Sequence, residues 1–402
     1  MLSGWALVSG FSLLSMDHRV NSLSLGEMVH SPGVRYAGMG GAGAALSDSV
    51  NWNALNPASY ARMDFTSLSV CYLPEITYLK EKDNSETFLA FTNDFPLTEM
   101  VIPLGRYGTA FAGYRRGRLL DYDIQFTDAQ GFLVHRTGQG GTYTLRAGYA
   151  YEIKKTLSLG ASLGEMYGNT RLGQFIDPLT VPEGASRLTP SYFQKVQLSG
   201  YMAEFGVLAR LGRVGVSVSG SLPVNSVRAE RESQVIQNYT AADSIVTKRQ
   251  DNPDMDAQVP ITGNVGLAWS PRSRLNFALD ATGVLWDNTQ GRSTEYRVGT
   301  GAEWFFSDKR SEHYYLNIPV RLGYFYHEFG YAEGIREQGA TLGWTLPTAG
   351  FYGYLNFALE GGRRYQGSIL DSPFSETYTR LSVQFVHKGR WGRLRRAAES
   401  EF

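Results

Sequence analysis

The chain has 402 residues, and its 38 Lys and Arg residues balance 38 Asp and Glu residues, so bulk charge indicates neither nucleic acid nor an anionic surface as a partner. Cys71 is the only cysteine, which excludes an internal disulfide and a multi-cysteine metal site. No apolar run reaches the roughly 18 residues that a membrane helix needs. Membrane-spanning β-strands need no such apolar run, because only every second residue of a strand faces lipid. The composition therefore permits a membrane β-barrel.

Residues 1–30 are expected to hold a signal peptide and a lead-in. Residues 4–14 would form its apolar part, although no Lys or Arg precedes them and no clear Ala-x-Ala site follows. A truncated or atypical signal and an ordinary structural segment both remain open. No cysteine follows the apolar part closely, which excludes a lipoprotein anchor.

A glycine-rich segment, residues 31–64, comes next, and in it Gly38, Gly40 and Gly43 spell G-x-G-x-x-G. A dinucleotide fingerprint needs a strand before these glycines and a helix after them. Here Pro-Gly precedes them and an Asn-Pro-Ala sequence follows them. We therefore do not expect nucleotide binding.

From about residue 65 onward, apolar and polar residues alternate with the period of a β-strand. Residues 275–282 are the clearest case, because Leu, Phe, Leu and Ala share one face while Asn, Ala, Asp and Thr share the other. The pattern predicts 14 strands, at 65–79, 86–93, 107–119, 142–152, 156–169, 194–211, 213–224, 259–270, 273–285, 295–306, 314–328, 336–346, 351–362 and 376–387.

The connections between these strands alternate between short and long in the second half of the chain. The tight turns are 154–155, 212–213, 271–272 and 347–350, and the long loops are 120–141, 170–193, 225–258 and 363–375. Bacterial outer-membrane barrels have short periplasmic turns, longer outer loops and an even number of strands. The chain is therefore predicted to be an all-β, transmembrane antiparallel barrel of about 14 strands with both termini in the periplasm. Two connections fit less well, since 94–106 is long for a turn and 286–294 is short for an outer loop.

The N-terminal motif resembles that of a known family. The run from Gly38 to Asp48, followed by Asn56-Pro57-Ala58, is similar to the start of FadL-type outer-membrane proteins, which carry hydrophobic compounds. Residues 55–61 and 383–391 look most like the branch in Bacteroidetes-type bacteria. The resemblance implies an N-terminal hatch at 31–64 inside a barrel at 65–387, with a ligand path from the outer loops that can leave sideways through the wall.

Under this resemblance, a ligand path and hatch would involve Gly38, Gly40, Gly43, Asn56, Pro57 and Ala58. Glycines would let the segment thread past lumen side chains. The alternative is a flexible glycine-rich lead-in that ends in a simple turn before the first strand.

The strand alternation also predicts which charged residues face the lumen. They are Arg146, Glu204, Arg210, Asp280, Arg297, Glu303, Arg321, Glu360 and Arg380. Mixed charge inside a barrel indicates a salt-bridged, solvated or plugged lumen. A long-chain ligand would need an apolar pocket with a few polar anchors, and only scattered candidates face inward, namely Met202, Leu208, Phe325 and Tyr354.

No catalytic, metal or cofactor site is predicted. Of the six histidines only His327 is placed on a lumen face, near the outer loops, and no Ser or Asp is held in register with it. Glu165 falls on the lipid face, so it either lies above the membrane or marks a kink beside Gly160, Gly164 and Gly168 that opens the wall.

Two functions are therefore expected for this outer-membrane barrel. The first is passive passage of hydrophobic small molecules, and the second is a non-transporting accessory subunit of a barrel-assembly or protein-secretion complex. The expected partners are membrane lipids or lipopolysaccharide, together with a hydrophobic small molecule or outer-membrane proteins, and no nucleic acid. A basic periplasmic tail, residues 388–402, could grip phospholipid headgroups or an acidic partner, or simply be solvated.

Overall fold

The structure is a computed structural model. It describes residues 26–30, 33–46, 48–81, 87–127, 132–178, 191–225, 227–238, 244–257, 259–286, 294–307, 312–330, 334–348, 353–367 and 374–389. The expected signal peptide before residue 26 and the basic tail from residue 390 lie outside the described residues.

Most of the described chain is β-strand. The strands are β1 (Glu27–Met28), β2 (Thr66–Glu81), β3 (Thr87–Pro103), β4 (Thr109–Thr127), β5 (Phe132–Ile153), β6 (Leu157–Pro178), β7 (Ser191–Leu211), β8 (Val214–Pro223), β9 (Val227–Asn238), β10 (Ser244–Ala257), β11 (Ile261–Arg272), β12 (Leu275–Leu285), β13 (Glu295–Trp304), β14 (Val320–Glu328), β15 (Ile335–Pro347), β16 (Gly353–Gln366) and β17 (Phe374–Gly389). The helical elements are α1 (Val34–Ala37) and the 3₁₀ helices Pro57–Arg62, Gly105–Tyr107 and Tyr314–Asn317.

Fourteen of these strands form one closed antiparallel barrel. Consecutive strands pair from β2 to β8, β8 pairs with β11, and consecutive strands pair again from β11 to β17. The last strand then pairs with the first, from Phe374↔Glu81 to Gly389↔Thr66. Closure gives every barrel strand a paired neighbour on both sides, as a sheet in hydrocarbon requires. The predicted fold and strand number are confirmed.

Several predicted boundaries are wrong because strands continue into the predicted loops. Residues 94–106 are not a long turn, since β3 runs to Pro103. Strands β4, β5 and β6 extend far into the predicted loops 120–141 and 170–193, whereas β7 starts at Ser191, close to its predicted start. The strand predicted to start at 314 starts at Val320, after a 3₁₀ helix.

The predicted loop 225–258 contains a hairpin. Strands β9 and β10 pair with each other, from Ser244↔Asn238 to Ala257↔Val227. Strand β9 also pairs with the N-terminal part of β7, from Ser191↔Ile236 to Ser199↔Arg228. The hairpin therefore extends the barrel wall beside β7, beyond the ends of the shorter strands β8 and β11.

We call the end of the barrel with the short turns the turn end, and the opposite one the loop end. The turn end carries the short turns 154–156, 212–213 and 273–274, and the described residues 305–307, 312–319 and 348 also lie at this end. The loop end carries the connections that the sequence predicts to lie outside the cell. This separation agrees with the predicted parity of the loops.

Burial alternates along the strands with the two-residue period of β-structure. In β8 every second residue is buried, and the residues between them are exposed or partly exposed. The outward set is apolar or aromatic, with Leu163, Leu211 and Leu322 exposed to 65%, 67% and 62%. A surface of this kind suits lipid contact. No helix among the described residues is long and apolar enough to span a bilayer.

Inside the barrel lies the N-terminal segment, which we define as residues 26–64. It begins with β1 near the middle of β4, continues through α1, and reaches the turn end in the 3₁₀ helix Pro57–Arg62, directly before β2. Most of its residues from Val34 to Tyr60 are buried, and the hydrophobic core clusters form where they meet inward-facing barrel residues.

Candidate functional site: the plugged lumen and its cavity

The Asn-Pro-Ala motif forms a buried, capped turn. The side chain of Asn56 accepts a hydrogen bond from the Ala58 backbone N–H at 3.0 Å and donates one to the Ala44 carbonyl at 2.8 Å. Pro57 occupies the first position of the 3₁₀ helix, where no N–H is needed. A Cβ on Gly206 would lie only 2.9 Å from the Ala58 nitrogen, so this turn lies directly against the wall. Asn56 thus ties the motif to the glycine-rich stretch.

The glycine-rich stretch lies closest to the barrel wall where glycines of the stretch or of the wall are located. A Cβ on Gly38 would lie 2.8 Å from the Cα of Gly343, and one on Gly301 would lie 2.6 Å from the Met39 carbonyl oxygen. Gly40 has φ +70°, and its N–H donates to Thr341 Oγ1 at 2.9 Å. Two backbone segments can approach this closely because glycine has no Cβ. The close fit leaves no room between segment and wall at this level.

Asp280 holds the next part of the stretch. Its Oδ2 accepts hydrogen bonds from the N–H groups of Gly43 at 3.0 Å and Ala44 at 2.8 Å. Gly43 has φ +132°, a conformation that L side chains rarely adopt. The sequence predicted Asp280 to face the lumen, and the structure places it in contact with the segment.

One buried ion cluster joins the segment to β13 and β14. Arg35 binds Glu303 through two hydrogen bonds, of 2.9 Å and 2.6 Å, across 268 residues of sequence. Arg321 donates to the same carboxylate at 2.8 Å, and Asn276 at 3.0 Å. Arg35 also pairs with Asp48 at 2.5 Å. Because Glu303 has no exposed side-chain area, the pairing is shielded from water and salt.

A second buried ion cluster joins the segment to β3, β5 and β7. Arg146 binds the carboxylates of Glu99 and Glu204 and donates to the Tyr60 hydroxyl at 2.9 Å. Trp52 and Tyr60 donate to the second oxygen of Glu99, at 2.7 Å and 2.6 Å. Charge-assisted bonds of this kind are stronger than neutral ones. The cluster therefore fixes the segment at its turn-end half.

A third cluster lies towards the loop end and is rich in carboxylates. His327 lies between Glu295 at 3.0 Å and Glu337 at 3.2 Å, so a doubly protonated ring satisfies both acceptors. Arg364 donates to Glu337 and also binds Glu27 of β1 at 3.0 Å. Neighbouring members of this cluster are Glu75, Arg118, Glu360, Glu376, Tyr378 and Arg380.

Two further residues predicted to face the lumen lie elsewhere. Arg297 is buried, with its guanidinium 3.9 Å from the ring centre of Phe325, and it donates to the Gly40 carbonyl at 3.4 Å. Arg210 lies at the turn end, beside polar hollows of about 670 Å³ and 280 Å³. The structure therefore distributes the predicted residues over the three clusters, the separate contacts of Asp280 and Arg297 with the segment, and the turn-end mouth, instead of gathering them into one site.

One cavity of about 140 Å³ lies between the segment and the loop-end half of the barrel. Met166, Leu198 and Met202 form an apolar wall. The neighbouring strands β8 and β11 contribute a polar part of the lining, which includes Ser219 and Asn264. The cavity shares no lining residue with the two turn-end hollows. Between them lie fully buried residues of the segment, such as Asn56 and Tyr60.

The barrel wall is interrupted between β3 and β4. Among the described residues these strands pair only from Leu97↔Arg115 to Pro103↔Thr109. Pro96 has no N–H to donate, and β3 bulges here against β2. Beyond this point an ion pair of 2.7 Å joins Asp94 to Arg116 across the break.

Strand β1 pairs with the part of β4 that β3 leaves unpaired. Glu27 and Met28 pair with Leu119 and Arg118, and the Val29 N–H donates to the Gly117 carbonyl at 3.0 Å. The opening that the sequence suggested beside Gly160, Gly164 and Gly168 is wrong, because β6 pairs without interruption with both neighbours there. Glu165 is exposed on the outside of that continuous wall.

Several residues of these clusters were missed in the sequence. Glu99 falls in a predicted turn and Arg364 in a predicted loop, while Arg35 was read only as part of the hatch motif. Extending the two-residue alternation past the predicted end of β16 would have placed Arg364 on the inner face. The same extension fails for Glu99, because the bulge in β3 reverses the alternation before that residue. No group of three or more His, Cys, Asp or Glu in the described ranges is arranged to hold a metal ion.

Comparison with known proteins agrees with the fold. A family model described as BamG matches residues 22–397. No curated protein shows significant similarity to the chain.

Three similar solved structures are FadL-type channels. The CymD monoaromatic hydrocarbon channel has TM-score 0.58 and 16% identity and covers 89% of this chain and 97% of its own. A Pseudomonas aeruginosa FadL homologue has TM-score 0.59 and 12% identity, with 90% and 99% covered. The P. putida toluene transporter TodX has TM-score 0.60 and 13% identity, with 88% and 98% covered. These likenesses establish the FadL-type fold.

Proposed function

The chain belongs to the BamG family, and from that premise we propose that it is a closed barrel of the bacterial outer membrane that serves as an accessory subunit of an outer-membrane protein complex. Membership of this family supports outer-membrane protein partners, and hence the accessory role that the sequence left open beside passage of small molecules. In this proposal the turn end and both termini face the periplasm, the apolar outer wall contacts lipid, and lipopolysaccharide surrounds the loop end.

The observation that carries the proposal is the fully buried layer across the lumen. A conducting path needs water or ligand to pass the N-terminal segment. Here that segment meets the wall backbone to backbone at Gly38 and Gly343. It is tied on one side by the Arg35–Glu303 pair and on the other by the hydrogen bonds of Trp52 and Tyr60 to Glu99. Opening such a layer would break the buried Arg35–Glu303 pair, which costs several kcal/mol, and would leave Glu99 without two of its donors. We therefore assign the segment the role of a permanent plug.

Passage of hydrophobic molecules is the second candidate. Two observations favour it, namely the FadL-type fold and the cavity beside the wall break at Asp94 and Arg116. The cavity argues against bulky cargo, because about 140 Å³ lies below the roughly 300 to 1,000 Å³ of ordinary ligand pockets. A channel would have to rearrange before a larger molecule could pass.

The two functions are separated by native purification. The full-length chain with a loop-end epitope tag is extracted gently from its own outer membrane, and the bound proteins and lipids are identified by mass spectrometry. Stoichiometric outer-membrane protein partners would support the accessory role. The matched control is a FadL-type channel carrying the same tag, to reveal proteins that bind any barrel.

Uptake of a radiolabelled monoaromatic hydrocarbon into cells with and without the gene completes the test. The accessory role predicts equal uptake and a defect in outer-membrane protein composition when the gene is removed. Loss of uptake with an intact outer-membrane protein profile, and no partner in the purification, would refute the accessory role in favour of the channel.

A further inference from the structure

The cavity combines an apolar wall with polar groups that have no partner in the protein. Met166, Leu198 and Met202 are 5%, 3% and 7% exposed, and they contribute thioether and methyl surface. Ser219 and Asn264 are 2% and 5% exposed, and both line the cavity. Within the described chain, Ser219 Oγ and Asn264 Oδ1 make no hydrogen bond. A buried polar atom without a partner is costly unless something else occupies the site.

The two polar groups are positioned to act on one ligand atom. Ser219 of β8 and Asn264 of β11 are directly opposite each other across the strand pair, so their side chains share the inner face. The amide nitrogen of Asn264 is already used, since it donates to Thr282 Oγ1 at 2.8 Å. This leaves an acceptor on Asn264 and a hydroxyl on Ser219. Together they complement a group that can donate and accept, such as a hydroxyl.

The charged groups around the cavity are already neutralised within the protein. Arg115 binds Glu204, Arg116 pairs with Asp94, and Arg118 pairs with Glu295 at 3.4 Å. Glu204 is shared further with Arg146. No lining charge is left to balance an ionic ligand, and an unbalanced charge in a buried site is strongly disfavoured.

From this cavity we propose a binding site for a small neutral molecule with one hydroxyl group on an apolar body of about one six-membered ring. A cavity of about 150 Å³ is known to hold benzene, so the size of this one, about 140 Å³, fits such a ring. The ring packs against the methionine wall, and the hydroxyl donates to Asn264 Oδ1 and accepts from Ser219 Oγ. The site is independent of the accessory role, because it needs no partner protein.

Calorimetric titration of the purified full-length protein with phenol tests the proposal. Toluene and benzoate are the comparison probes, since toluene lacks the hydroxyl and benzoate carries a charge. Phenol is expected to bind about 10- to 100-fold more tightly than toluene, because its hydroxyl gains two neutral hydrogen bonds that each contribute about 3- to 10-fold, and benzoate is expected not to bind. Partition into detergent is subtracted with the variant Ser219→Leu, whose side chain fills the cavity.

Ser219→Ala should weaken phenol binding about 3- to 10-fold and leave toluene binding unchanged. Ser217→Ala is the matched control, because Ser217 lies on the same strand and face, is 1% exposed and also lacks a hydrogen-bond partner among the described residues, but does not line the cavity. Three results would overturn the proposal. They are no saturable phenol binding, equal affinity for toluene, and equal effects of the two serine variants.

Discussion

At the scale of single residues, the interior is held by buried carboxylates, and some of them bind two arginines. Glu303 is the clearest, because it joins Arg35 of the segment to Arg321 of the wall. A buried ion pair adds little net stability compared with apolar residues, yet removing one partner is severe, since the other charge stays buried. The strength of the plug therefore depends on the completeness of these clusters.

Glu303→Ala should lower the free energy of unfolding by about 3 to 5 kcal/mol, because two guanidinium groups lose their counter-charge. Urea titration of the refolded barrel in lipid vesicles measures it. The control is Glu152→Ala at the turn end, where Glu152 and Arg62 lie 3.0 Å apart and each side chain is 25% exposed. A partly exposed pair should change the free energy by less than about 1 kcal/mol. Equal effects would contradict the assignment of Glu303 as the central partner.

Gly323→Ala tests the close approach of backbone to backbone. A Cβ at this position would collide with the Gly40 nitrogen, so the segment must move, at a cost of about 1 to 3 kcal/mol. We expect trypsin to cut the folded variant after Arg35, which is buried in the native chain. Mass spectrometry of the digest detects the cut. Gly361→Ala is the control, since a Cβ there meets nothing within 4 Å, and cleavage in this control as well would contradict the prediction.

At the scale of elements, β1 completes the wall where β3 leaves β4. Gly26 has φ +100°, and a Cβ on it would collide with the Leu119 carbonyl, so only glycine fits at this point. Arg118 adds a hydrogen bond of 2.8 Å to the Gly26 carbonyl. A strand of two residues thus depends on one backbone conformation.

Gly26→Ala should release β1 from β4, because Ala is strained at positive φ. Hydrogen exchange monitored by mass spectrometry should show faster exchange in residues 26–30, including the Val29 N–H that donates to Gly117. Exchange in the barrel strands should stay unchanged. Gly389→Ala, where a Cβ meets nothing within 4 Å, is the matched control. Unchanged exchange at Val29 in the Gly26 variant would mean that β1 is held by other contacts.

The sequence predicts some of these elements well and others poorly, for physical reasons. The membrane strands were found because lipid on one side and a packed lumen on the other enforce a two-residue alternation. The hairpin of β9 and β10 was missed because polar sequences such as Arg-Ala-Glu-Arg-Glu at 228–232 give no such contrast. The break at Pro96 and the pairing of β1 with β4 depend on strand neighbours that a local pattern does not contain.

The contacts between segment and wall were the least predictable part. The alternation correctly put Glu303 and Arg321 on one inner face, but their partner Arg35 lies 268 residues from Glu303. Only the closed topology brings these side chains together. The resemblance to FadL-type proteins gave the N-terminal segment its expected place, whereas the individual ion pairs required the structure.

At the scale of the whole molecule, wall and plug are separable in principle. The fourteen barrel strands close through their own pairing, from β17 to β2 and from β8 to β11, and they need no backbone bond from residues 33–64 to do so. The plug in turn adds buried apolar contacts, such as the packing of Tyr60 on Phe111 with ring centres 4.0 Å apart. Removing the plug should therefore affect permeability more than barrel closure.

Deletion of residues 33–48 gives the decisive measurement. The variant loses Arg35 and the glycine contacts but keeps the Glu303–Arg321 pair, so the barrel should still form and show heat-modifiable migration on gels. In planar lipid bilayers the native protein should give no steps above noise, whereas the variant should conduct ions, because the part of the buried layer that is held by Arg35–Glu303 and the glycine contacts is then missing. The insertion control is the conservative variant Met39→Leu, which should stay silent. A native protein that conducts as well as the deletion variant would show that the plug does not close the lumen, and the accessory role would lose its main structural support.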